Sequence, residues 1–290
     1  MARSVAGSSM RVAPGVLLLG LCASAARAEP AAPPADEPAA EPAAAPAAAD
    51  EPPQPLFSDT QLIQRSGWRF EEPGLAGTDA RHMLTFQHFD AWAYGRNYFF
   101  FDVTLPWGRA GNVAEVYGEA YASLSLGAVL GRPLAAAIVR DVLVTVGLNA
   151  GAASNGAAPL AILPGLSLDL ALPGFTVAAI DVLAFVDRGR FAGADNGCHG
   201  VAVDVTASWQ RPWRVGAVAG TVEGYAELTT RHGQCATQLL TQPQLRLDLG
   251  RLLGRPHRLF VGVELEIWLA KYGIAGLDEY VPRTLVAWRF

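Results

Sequence analysis

The chain has 290 residues, of which 51% are hydrophobic and 17% charged, and its formal net charge is -5. Without a basic surplus, nucleic acid is not an expected partner. Beyond the N-terminus no run of about 18 or more apolar residues occurs, which argues against membrane-spanning helices. The apolar residues are instead distributed over many short segments, a pattern typical of a membrane β-barrel.

The first 28 residues have the features of a secretory signal peptide. Arg3 and Arg11 precede the apolar segment 12–21, and Ala26-Arg27-Ala28 is a small-x-small cleavage site. The mature chain is therefore predicted to start at residue 29. A single helical anchor is the first alternative, although the apolar run is short for one. A lipoprotein site at Cys22 is the second, although a leucine precedes it where a small residue is usual.

Residues 29–55 consist almost entirely of Ala, Pro, Glu and Asp. Such a segment cannot bury enough apolar surface to offset its ordering entropy, so we expect a disordered periplasmic tail. It serves either as a spacer or as a tether, for example to peptidoglycan. Residues 56–290 form the predicted barrel domain.

From residue 56 onward, short β-rich runs alternate with turn-forming residues. Twelve strands are predicted, near 60–70, 82–91, 97–105, 113–127, 140–149, 160–170, 175–186, 200–209, 213–230, 237–249, 257–269 and 281–290. Period-2 alternation is clear in 141–149, 201–209 and 257–269. The predicted fold class is all-β, a twelve-stranded antiparallel transmembrane β-barrel with both termini on one side.

Connections of two lengths separate these strands. Tight turns are predicted at 93–96, 173–174 and 211–212, and longer polar loops at 71–81, 187–199 and 271–280. Short turns are expected on the periplasmic side and long loops outside. The connections near 128–139 and 250–256 are longer than this rule predicts.

Several motifs resemble those of a known family, and together they span nearly all of 57–290. They are the hairpin LTFQHFDAWAYG (84–95), the strand NYFFFD (97–102), EVYGE (115–119) and the closing RTLVAWRF (283–290). In these the chain resembles the nucleoside-specific outer-membrane channels, the Tsx and OmpK-like proteins. The resemblance implies a monomeric twelve-stranded barrel that passes small molecules. The terminal Phe290 resembles the C-terminal signal that the barrel assembly machinery recognises.

The candidate substrate-binding residues lie on the polar faces of predicted strands. Base stacking requires aromatic ring faces, and a sugar requires hydrogen-bonding groups beside them. The candidates are Tyr98, Phe100, Asp102, Glu115, Tyr117, Glu119, Glu223, Tyr225, Glu227, Arg246 and Glu264. The alternative is that these side chains only fill the lumen and pair with one another. Their acidic bias disfavours anionic solutes.

The two cysteines beyond the signal peptide, Cys198 and Cys235, fall in two predicted outer loops. In an oxidising compartment a disulfide between them is the leading interpretation. A zinc site with the neighbouring His199 and His232, or free thiols, are the alternatives. No cofactor and no metal are predicted.

No nucleophile elbow, zinc-protease motif or phosphate-binding loop is present, so an enzyme is not predicted. The predicted function is facilitated diffusion of small hydrophilic solutes, with nucleosides favoured, through the outer membrane. The first rival is a recognition barrel whose lumen is plugged by side chains, and the second is a barrel enzyme.

Overall fold

The computed structural model describes residues 55–73, 77–107, 113–191, 194–195 and 197–290. The predicted signal peptide, and the predicted tail up to residue 54, lie outside these residues. Within the described part, strands dominate. The barrel strands are β1 (Phe57–Phe70), β2 (Asp79–Trp92), β3 (Gly95–Pro106), β4 (Glu115–Ser125), β5 (Val139–Ala153), β6 (Leu160–Leu170), β7 (Val177–Asp187), β8 (Gly200–Val215), β9 (Val218–Thr229), β10 (Gln238–Thr241 and Gln244–Asp248), β11 (Leu259–Leu269) and β12 (Glu279–Arg289).

The sheet closes on itself. Each strand pairs antiparallel with the next in sequence, and β12 pairs with β1 from Gln61↔Arg289 to Gly67↔Arg283. Closure leaves no long unpaired edge among the barrel strands. This arrangement confirms the predicted twelve-stranded antiparallel β-barrel.

Two prolines make the strands differ from the prediction. The predicted turn at Arg211-Pro212 is wrong, because β8 continues to Val215 and turns at 216–217. Pro212 is tolerated because it lies beyond Gln210, the last residue of β8 that pairs with β7. The predicted strand 237–249 is interrupted at 242–243, since Pro243 has no N–H to donate to the ladder.

The connections divide between two rims. One rim, here called the terminal rim, carries both ends of the barrel, the connections 93–94, 171–176 and 216–217, and two short helices, α1 (Leu126–Val129) and α2 (Leu249–Leu252). These helices fill the two connections that are longer than the turn rule predicts. Each is capped by a side chain, Ser125 for α1 and Asp248 for α2. The opposite rim, here called the loop rim, carries the other six connections.

The outer surface of the barrel is an apolar belt. On β5, Val144, Val146 and Leu148 are exposed, whereas the intervening Thr145 and Asn149 are buried inside. The same alternation holds in the other strands, for example in β11. An apolar outer face around a polar interior matches a barrel surrounded by lipid. Within the described residues, no helix is both long enough and apolar enough to cross a bilayer.

Polar side chains interrupt this belt on the outward faces of β1 and β2. The hydroxyl of Thr60 lies 2.7 Å from Nδ1 of His88, and that of Ser66 lies 2.7 Å from Nδ1 of His82. The second pair has the spacing of a nucleophile and its base. However, the matching threonine–histidine pair indicates that both are cross-strand pairs which satisfy polar groups in an apolar setting.

Placing an arginine on the belt tests whether lipid surrounds it. We expect Leu148→Arg to lower the free energy of unfolding by about 2–4 kcal/mol, because a charge near the bilayer midplane loses its hydration. Leu253→Arg, on the terminal rim outside any strand, is the control and should change it by less than about 1 kcal/mol. Denaturant titration in lipid bilayers measures both, and equal losses would contradict a membrane-facing belt.

Candidate functional site

Two cavities occupy the barrel interior. The first, of about 360 Å³, lies within the lumen, and the second, of about 1030 Å³, is bounded by residues near the terminal rim. Ten of the eleven predicted site residues line the first cavity: Tyr98, Phe100, Asp102, Glu115, Tyr117, Glu119, Glu223, Tyr225, Glu227 and Arg246. Glu264 does not line this cavity. It is buried in ion pairs with Arg65 and Arg283.

One wall of the first cavity carries tyrosines held by a carboxylate. The hydroxyls of Tyr117 and Tyr121 donate to Glu119 at 2.6 and 2.8 Å, and the amide of Asn149 donates to it at 3.2 Å. Alternation along β4 places Tyr117, Glu119 and Tyr121 on the lumen face, as the acid–tyrosine–acid pattern predicts. Because Glu119 is satisfied by three donors, it orients the rings and has little capacity left for a solute.

The aromatic surface continues on β3 and β9. The rings of Tyr98, Phe100 and Tyr117 follow one another with centroids 6.0 and 6.1 Å apart. Across the cavity, Tyr225 and Glu227 project from β9. Within the described part of the chain, no hydrogen bond engages the Tyr225 hydroxyl, so it is available to a solute. These rings offer stacking surface from two sides of the cavity.

The opposite wall is an arginine network. Arg65 and Arg283 both pair with Glu264, at 2.9 and 3.1 Å, and Arg246 pairs with Glu223 at 3.0 Å. Arginines therefore neutralise several of the carboxylates behind the predicted acidic bias. The sequence interpretation missed Arg65 and Arg283. Their signal was available, since each occupies an inward position on a strand adjoining the barrel closure.

The loop rim is fastened beside this wall. Lys271, in a single 3₁₀ turn (Lys271–Gly273), is buried and pairs with Glu279 at 2.9 Å and Glu72 at 3.5 Å. Its ammonium also lies 5.0 Å from the ring centroid of Tyr272. Burial, and then the nearby Glu72 carboxylate, raise the pKa of the Tyr272 hydroxyl well above its usual value. The β1–β2 and β11–β12 connections are thus held together.

A disulfide links two further connections on the same rim. Cys198, between β7 and β8, is bonded to Cys235, between β9 and β10, with the Cα atoms 5.1 Å apart. Gly273 packs against Cys235, and a Cβ there would lie 2.5 Å from its sulfur. Four connections therefore form one continuous collar. Among the described residues, no group of three or more His, Cys, Asp or Glu side chains could hold a metal ion.

No protein-family model matches the chain, and no curated protein matches it. Solved structures that resemble it are outer-membrane barrels. A KdgM porin in complex with disordered oligogalacturonate has a TM-score of 0.43 and 10% identity, covering 79% of this chain and 99% of its own. A Rhodopseudomonas blastica porin mutant has a TM-score of 0.31 and 9% identity, and the match covers 81% of this chain and 100% of the porin.

The transport unit of the autotransporter AIDA-I from Escherichia coli also scores 0.31 at 9% identity, covering 82% of this chain and 90% of its own. Scores and identities this low carry no information about a ligand. Because no family model matches, membership in the nucleoside-specific channel family stays a prediction.

Proposed function

We propose that this protein is an outer-membrane channel through which small hydrophilic solutes diffuse, with nucleosides as the favoured class. The observation that carries the proposal is a lumen cavity lined by aromatic rings and hydrogen-bonding side chains, inside a barrel with an apolar outer belt. Nucleosides are neutral and combine a flat base with a polyhydroxyl sugar, so both kinds of lining group match them.

The lining groups would act by weak, repeated contacts. A base stacks transiently on Tyr98, Phe100 or Tyr225, while polar groups such as Asp102 and Glu115 exchange hydrogen bonds with the sugar. Each contact is weak, because a tight site would hold the solute and block passage. Glu119 keeps its tyrosines oriented without binding the solute itself. No energy source is required, since the solute follows its concentration gradient.

Export and membrane orientation belong to the same proposal. The signal peptide directs the chain to the periplasm, and Phe290 offers the assembly machinery its terminal aromatic residue. The terminal rim then faces the periplasm and the loop rim faces outward, so solute enters through the loop rim. The barrel acts as a monomer surrounded by outer-membrane lipid.

Single-channel recording of the refolded mature protein tests the proposal. We expect adenosine and thymidine to reduce the current in a planar bilayer, and a control sugar to leave it unchanged. Tyr225→Leu should weaken this block by about 5- to 150-fold, because it removes one stacking contact of about 1–3 kcal/mol. Tyr280→Leu is the control, since Tyr280 is exposed on the outer face of β12.

Two other results would change the assignment. An open pore that ignores nucleosides keeps the channel and removes this solute class. A folded barrel without any current supports the plugged recognition barrel.

A further inference from the structure

The two interior cavities meet at a shared layer of side chains. Four residues line both of them: Phe89 on β2, Arg96 on β3, Val177 on β7 and Gln210 on β8. A solute that crosses the barrel has to pass this layer. Of the four, Arg96 alone is charged.

Arg96 reaches strands far from its own. Its guanidinium lies 3.4 Å from Asp169 on β6 and 3.3 Å from Asp181 on β7, although β4 and β5 separate β3 from β6, and β6 lies between these and β7. Most other lumen ion pairs that involve an arginine join strands that are adjacent or two apart. Arg96 therefore forms a bridge along the inner surface that crosses the strands between β3 and β7.

Small side chains beneath the bridge make its reach possible. Ser123, Thr145 and Ser167 form a hydrogen-bonded row across β4, β5 and β6, with oxygen separations of 2.9 and 2.6 Å. These three side chains are short, and their hydroxyls bond to one another. The guanidinium of Arg96 can therefore extend over them, on the lumen side, toward Asp181. A larger residue in the row would obstruct it.

The backbone beside Arg96 also fixes where this side chain starts. Gly95 begins β3 after the tight turn at 93–94, and a Cβ at this position would collide with the carbonyl oxygen of Ser123. Only glycine permits so close an approach of β3 to β4. The residue that follows it, Arg96, is thereby held at a defined position on the lumen wall.

We propose that the bridge from Arg96 to Asp169 and Asp181 is the constriction of the conduction path and determines its ion selectivity. This inference rests on the proposed channel function. The constriction therefore contains the guanidinium of Arg96 and two carboxylates, one of which, Asp169, also lies 3.6 Å from the exposed Arg140. Charges at the narrowest point of a pore act on each passing ion at close range, whereas charges on a wide wall are screened.

Charge removal on either side of the bridge gives opposite predictions. Arg96→Gln leaves two carboxylates, so the reversal potential in a KCl gradient should shift toward cations, and the conductance should rise about twofold or more. Asp169→Asn with Asp181→Asn leaves the arginine, so the reversal potential should shift toward anions. Opposite shifts require that the ions pass directly beside these groups.

Arg289→Gln is the matched control. Arg289 lines the larger cavity and pairs at 2.8 Å with Asp59, on the adjacent strand β1, so its removal also deletes one lumen positive charge. We expect little change in conductance from this variant. If Arg96→Gln behaves like Arg289→Gln in a conducting barrel, the constriction lies elsewhere and the inference fails while the channel stands.

A wild-type protein that does not conduct would also distinguish the constriction proposal from the channel proposal. If the wild type does not conduct and Arg96→Gln does, the bridge is a plug, so the constriction is supported and the channel function fails. If neither folded barrel conducts, the path is closed at another level and both proposals fail.

Discussion

Glu264→Gln is expected to lower the free energy of unfolding by about 3–5 kcal/mol. The Glu264 carboxylate is fully buried, accepts a hydrogen bond from Arg65 at 2.9 Å and lies 3.1 Å from Arg283. Arg283 keeps a second partner in Glu266, whereas Arg65 has no other ion pair among the described residues. The variant therefore leaves a buried guanidinium without its counter-charge.

Denaturant titration in lipid bilayers, read from the heat-modifiable shift of the folded band, measures this loss. Arg140→Gln is the control, because it breaks a 3.6 Å pair with Asp169 in which the arginine side chain is 58% exposed. Exposed pairs contribute about 0–1 kcal/mol, so this control should differ little from the wild type. Equal losses in both variants would show that the arginine wall is not a dry network.

Replacing both Cys198 and Cys235 with serine should lower the free energy of unfolding by about 4 kcal/mol. The bond closes a loop between residues 37 apart in sequence, and releasing it restores conformational entropy to the unfolded chain. The folded barrel itself should persist, since the strands pair independently of the collar. Denaturant titration with and without dithiothreitol measures the difference.

The same measurement separates the disulfide from a zinc site. A disulfide predicts that dithiothreitol destabilises the wild type while a chelator such as EDTA has no effect. Destabilisation by EDTA, with two thiols titratable in the untreated protein, would favour zinc. The serine variant is the control, because neither reagent should alter it.

The strands were predictable from local pattern, since a strand between lipid and a polar lumen must alternate with period 2. Val144, Val146 and Leu148 point outward as their spacing predicts. The errors arose at prolines. The sequence predicts a turn at Pro212, but this residue lies in β8. A proline is tolerated there because its backbone has no pairing partner on β7. Whether a missing N–H matters depends on the neighbouring strand, and local sequence does not reveal that.

The lumen face of each strand was also predictable, and ten of the eleven candidate residues line one cavity. What each side chain contacts was not. Glu264 and Glu223 both occupy inward positions in the alternation of their strands. However, Arg65 and Arg283 cover Glu264, whereas Glu223 lines the cavity. Its partners come from β1 and β12, which meet only when the barrel closes.

By itself, the sequence determined the all-β class, the number of strands, the face that each residue presents and the two rims. These properties follow from short-range periodicity and turn chemistry, which act over a few residues. Tertiary structure alone decided which charges pair, which two connections Lys271 holds together and where Arg96 meets Asp181. Those contacts join residues as far apart in sequence as Asp59 and Arg289, and their distances depend on barrel closure and on the stagger of all twelve strands.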